Sequence, residues 1–203
     1  MRPTAVLNVV GLTRALLGSD TPHLNALVAD GASASLRAIL PAVTCSAQAT
    51  FLTGTLPREH GIVGNGWYFR DLAQVMFWRQ SNQLVHGEKV WESARRRDPT
   101  CTCAKMFWWF NMYSTADWAV TPRPIYPADG RKIVDIYSQP ADLRARLVAE
   151  LGGVEEREAA RLLAASAGSA KLAIAMARLG VGRGEAARRL IVARGFLGRA
   201  LAE

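Results

Sequence analysis

The chain has 203 residues, 50% of them hydrophobic and 21% charged, a size that suits one domain, or one domain with an appendage, and a composition that excludes disorder. Its formal charge of +8 suits an anionic partner, but the arginines are spread out and no dense basic run interleaves with aromatics, so a nucleic-acid surface is not expected. Cys45, Cys101 and Cys103 are its three cysteines; they are too few for a disulfide scaffold, and Cys101-Thr102-Cys103 is one residue short of a CxxC site, so reduced, buried thiols of a cytoplasmic protein are expected.

In chain order, Thr4 to Val10 is a short, valine-enriched apolar run that reads as a buried parallel strand. Interrupted by Asn8, it is too short and too polar for a signal peptide or a membrane span. No later segment approaches the length of a span, so no membrane partner is expected. Thr21-Pro22 opens a helix through Val28, with Gly31 beyond its end. Ser35 to Leu40 reads as a second strand, closed by Pro41, and Cys45 or Ser46 to Thr53 as a helix ending at Gly54. Trp67 to Phe69 and Val75 to Trp78 form a hairpin pattern around Asp71. Glu88 to Arg97 reads as a short helix, Thr102 to Trp109 as a bulky strand, and Pro140 to Leu151 as a helix with Leu143, Leu147 and Leu151 at i, i+4 spacing.

Composition changes near Gly152-Gly153, because every Trp, Pro, Cys, His, Asp, Asn, Thr and Tyr lies before that point. The expected division is therefore residues 1–151 and an Ala/Arg-rich tail, 152–203. Glu155 to Ala167, Ser169 to Leu179 and Glu185 to Leu201 read as helices from propensity, with thin, alanine-rich apolar faces that predict weak packing. Two origins stay open for the tail. Its helical periodicity suits a real appendage, whereas the abrupt loss of residue types suits a shifted reading frame on GC-rich DNA.

Chemistry concentrates between Pro41 and Asp71. A strand ending at Pro41 and a helix beginning just past Thr44 put that hydroxyl beside free backbone N–H groups at the positive end of a helix dipole, a place that favours a phosphate. A hydroxyl there could attack phosphorus once its pKa is lowered, and a metal ion is the usual means. The plainer alternative makes Thr44 an N-cap and nothing more.

Pro41, Thr44, Thr53-Gly54, Pro57, His60-Gly61-Ile62 and Asn65 occur in the order and spacing of a known pattern. The segment resembles the nucleophile region of the type I phosphodiesterase/nucleotide pyrophosphatase branch of the alkaline phosphatase superfamily. The likeness covers about residues 4 to 151, and Asn65-Gly66-Trp67-Tyr68-Phe69-Arg70-Asp71 is similar to the continuation found in a bacterial subgroup. It implies an α/β fold with a mostly parallel sheet, here incomplete, to which the helical end read from propensity is added. It also implies hydrolysis of phosphodiester or pyrophosphate bonds through a phospho-threonine, with a phosphate ester or nucleotide as substrate. Thr44 then corresponds to the nucleophile and metal-bridging ligand, and Asn65 to the amide that contacts a phosphoryl oxygen. His60 belongs to the motif but is expected to buttress the loop.

The family reaction uses two zinc-like divalent cations. The first carboxylate ligand of relatives, at the end of strand one, is replaced here by Asn8, a degenerate metal position that is neutral. No Asp follows Asp142 and no His follows His86. His23 and His86 have no evident ligand partners. The sequence therefore predicts a chain that binds no metal and does not turn over. The alternatives are a non-catalytic anion-binding or interaction module and a gene fragment. Phe107-Trp108-Trp109-Phe110, with Trp67, Trp78 and Trp118, would line a nucleobase pocket or pack an α/β core; packing is the more economical reading. Left exposed in an incomplete domain, these rings would promote self-association.

Overall fold

Local start and stop signals act as the sequence predicts. In the computed structural model, which describes residues 2–123 and 136–202, Pro22–Asp30 forms α1, with Thr21 at its cap and Gly31 after it. Thr44–Thr53 forms α2, closed by Gly54 at φ 69°. That left-handed residue lets the Gly54 N–H reach the Thr50 carbonyl, a stop that glycine makes without Cβ strain. One turn of helix, α3 (Pro57–His60), follows. The expected hairpin is β1 (Gly66–Phe69) and β2 (Gln74–Phe77), antiparallel with Trp67 opposite Met76. Gly66 lets the Phe77 ring lie against the backbone, since a Cβ there would stand 2.3 Å from that ring and force it to move. In α4 (Val90–Arg97), Trp91 is buried and its indole N–H donates to the Thr115 hydroxyl at 2.8 Å.

The sheet differs from the expectation. β3 (Ala104–Met106) runs parallel to β4 (Trp118–Pro122), which pairs antiparallel with β5 (Ile136–Gln139). Among the described residues one strand pair is parallel and two are antiparallel. The fold is mixed α/β, but the mostly parallel sheet is corrected. Thr4–Val10, expected as a buried strand, and Ser35–Leu40, expected as a second strand, join no sheet; Leu7 and Leu40 are 82% and 84% exposed. A parallel strand owes its hydrogen bonds to segments distant in sequence, so an apolar run becomes a strand only when such neighbours reach it.

The alanine-rich end also departs from the expectation of weak packing. α5 (Leu143–Gly152), α6 (Glu156–Ala165), α7 (Ala170–Leu179), α8 (Arg183–Val192) and α9 (Leu197–Ala200) hold the largest buried apolar cluster among the described residues. It is centred on Val148, Leu162, Ile174 and Met176. A Cβ on Gly152 would come within 3.0 Å of the Ala177 Cβ. Small side chains thus let the backbones approach closely, and closeness replaces bulk in filling the core. α5 lies before the change in composition yet packs against α6 and α7 beyond it. Among the described residues no single helix is long and apolar enough to cross a membrane. A second, smaller core, formed by Cys45, Ala49, Ile62, Val85 and Phe110, lies under α2 and seats the candidate site.

Candidate functional site

Cys45 and Ala49 fix one face of α2 in that core, which holds the start of the helix in place. The Ser46 hydroxyl donates to the Pro41 carbonyl at 2.8 Å and ties the first turn to the chain before it. Val43, at the cap, has no side chain able to accept a hydrogen bond. Asn65 does that work from a distance: its Oδ1 accepts the Cys45 N–H at 2.9 Å. A backbone N–H can only donate, so the Asn65 atom facing it is oxygen and the NH₂ remains as a donor. The Ala47 N–H goes to the Val43 carbonyl at 2.9 Å. The Thr44 and Ser46 amides have no acceptor among the described residues and supply the positive end of the helix.

An open cleft of about 380 Å³ lies at this helix start, bordered by Asn8, Thr44, Gln48 and Asn65. The residues predicted as nucleophile, phosphate donor and degenerate metal position therefore border one cavity. Thr44 stands at the first helical position, one past the cap, so it is no N-cap.

His60 lies outside that cleft and is fully buried. Its Nδ1 accepts the Ile62 N–H at 3.1 Å, which leaves the ring proton on Nε2, 3.0 Å from the Thr50 hydroxyl. Burial holds its pKa below the ordinary histidine value. A neutral imidazole thus braces the α3 turn against α2, the buttress the sequence predicts.

Sequence reasoning missed Gln48. It is 8% exposed, and its Oε1 accepts the Trp109 backbone N–H at 2.7 Å. Trp109 packs edge-on against Trp78 at 5.2 Å, Trp108 against Phe51 at 6.4 Å, and Phe110 is buried. No tryptophan lines the cleft; Trp108, Trp109 and Phe110 pack, whereas Phe107 stays 68% exposed.

The loop is anchored from below by Lys105, which is 3% exposed and whose Nζ donates to the Phe110 carbonyl at 2.9 Å over the face of Trp91. Burial lowers the Lys105 pKa from 10.5 to about 7, with the Cys103 thiol and Lys89 as its titratable neighbours. Folded Lys105 then binds fewer protons than unfolded Lys105 between those two values, so stability rises as pH rises through that window. We expect the free energy of unfolding to increase by on the order of 2 kcal/mol from pH 7 to 9. In Lys105→Met the same denaturant titrations should show no such rise. Of the cysteines, Cys45 is buried and its thiol is pushed up to about 12 by burial, whereas Cys101 and Cys103 are only half-buried.

The cleft offers three carboxamides, Asn8, Gln48 and Asn65, and the Thr44 hydroxyl. Among the described residues no three His, Cys, Asp or Glu side chains converge on a point that could hold a metal. A pair of zinc-like ions needs carboxylates or imidazoles to offset its charge and complete its coordination. The residues present do not fit that pair.

A hydroxyl at a helix start, beside unpaired amides and a clamped asparagine, is an arrangement chemically suited to an anion. A family model described as type I phosphodiesterase / nucleotide pyrophosphatase matches residues 4–171; the chain belongs to this family. The match runs past the change in composition, through α6 and to the start of α7. No curated protein and no solved structure matches the chain.

Proposed function

We propose that the cleft at the start of α2 is a phosphate-ester site in which the Thr44 hydroxyl holds the family's nucleophile position and the Asn65 NH₂ faces a phosphoryl oxygen. The observation that carries this is the 2.9 Å bond from the Cys45 N–H to Asn65 Oδ1. It fixes the amide beside Thr44 and turns its donor end free. The unpaired Thr44 and Ser46 amides add the positive end of the helix, which favours an anion without any cationic side chain. The lineage reaction cleaves phosphodiester or pyrophosphate bonds through the threonine. The neutral donors around this cleft do not fit the cations that would lower the Thr44 pKa, so the described residues bind a phosphate ester or nucleotide without turning it over.

Bis(4-nitrophenyl) phosphate separates the readings. With zinc added, the expected result is saturable binding by calorimetry, weakened in Thr44→Ala, with no release of nitrophenolate above background. Zinc-dependent release that is lost in Thr44→Ala would show an active hydrolase instead. Absence of binding with and without zinc would remove the phosphate-site reading altogether.

A further inference from the structure

Gln48 lies one helical turn after Thr44, on the face of α2 that borders the cleft. It is more than nine-tenths buried, and its oxygen is committed to the Trp109 N–H. The side-chain NH₂ has no acceptor among the described residues and borders the cleft, so it is a donor available to a ligand that enters there. Asn65 repeats the arrangement on the other side of Thr44, its oxygen held by the Cys45 N–H and its NH₂ left over. No lysine or arginine borders the cleft, so the side-chain NH₂ donors it offers an oxyanion come from carboxamides: Gln48 and Asn65 at α2, and Asn8 across the cavity.

We propose that Gln48 is a second phosphate-binding residue of this cleft, donating to a phosphoryl oxygen that Asn65 does not reach. The inference rests on the reading of the cleft as a phosphate-ester site. It adds that the aromatic loop is a positioning element. Trp109 holds the Gln48 oxygen, so it dictates which end of the amide meets the ligand. Neutral amides and a helix start supply no full positive charge, which suits a singly charged phosphodiester better than a doubly charged monoester.

Gln48→Glu isolates the claim. The carboxylate keeps an oxygen for the Trp109 N–H and replaces the donor NH₂ with a second oxygen. Calorimetry with bis(4-nitrophenyl) phosphate in EDTA should show affinity reduced at least about tenfold, with the near-UV circular dichroism of the tryptophans unchanged. In the parent chain the Gln48 side-chain ¹⁵N–¹H resonances should shift on titration, which a purely structural glutamine would not show. If the added charge unfolds the chain, Gln48→Met removes the donor without charge and should give the same loss. Parent-like affinity in either folded variant, or Gln48 resonances unmoved at saturation, would overturn the role of Gln48 while leaving the cleft intact. Failure of the parent to bind would overturn the cleft and Gln48 together.

Discussion

Asn65→Asp should abolish phosphate-ester binding while leaving the fold in place. The variant keeps an oxygen where Oδ1 accepts the Cys45 N–H, and a negative charge at a helix start stabilises by about 0.3–1 kcal/mol. The melting temperature should therefore stay level or rise slightly. At the ligand the same change is severe, because a donor becomes an anion facing an anion. Loss of one hydrogen bond to a charged group costs about 1.5–3 kcal/mol before any repulsion is counted, so affinity should fall by at least about a hundredfold. Asn65→Ala behaves differently: it removes the cap and costs about 1 kcal/mol of stability. Calorimetry and thermal denaturation on both variants check the pair. An Asp variant that binds as the parent does would show that the amide faces no phosphate.

The second large effect lies beneath the helix. Phe110 is fully buried against Cys45, Ala49, Ile62 and Val85. Its carbonyl accepts from Lys105 Nζ and from the Asn82 side-chain NH₂, each at 2.9 Å. Phe110→Ala leaves a cavity under α2 and should cost about 3–5 kcal/mol, a large share of the 5–15 kcal/mol that stabilises an ordinary domain. Its backbone sits at φ 58°, where alanine is no less strained than phenylalanine, so the loss reports packing alone. Urea unfolding followed by tryptophan fluorescence measures it. A loss under about 1 kcal/mol would mean that this cluster does not hold the site.

What could be read from the sequence was what neighbouring residues decide. Thr21-Pro22 and Gly54 mark helix ends because cap and stop geometry depend on a few adjacent dihedrals. The Trp67 hairpin is local in the same sense. Thr4–Val10 and Ser35–Leu40 share the composition of buried strands, but pairing depends on distant partners that their own residues do not specify. β4 and β5 went unpredicted because they are short and do not alternate apolar with polar residues. In the helical end, alanine was weighed by side-chain area alone, yet its small size is what lets α5 and α7 meet.

The site divides along the same line. Thr44 and Asn65 are legible because they belong to one spaced motif, and Asn8 because the family resemblance implies a metal ligand at the end of strand one; all three border one cleft. Gln48 sits inside that motif without any local sign of use. Its orientation depends on Trp109, 61 residues away, and no single-sequence pattern links the two.

The most direct measurement is a ¹⁵N–¹H titration of the labelled chain with bis(4-nitrophenyl) phosphate in EDTA, so that binding is read without turnover. The Thr44 and Ser46 backbone amides and the Asn65 side-chain NH₂ should shift together and saturate at one concentration, while the amides of α5 to α8 stay still. Shifts confined to the helical end, or a spectrum unchanged at millimolar ligand, would contradict a phosphate site at the start of α2.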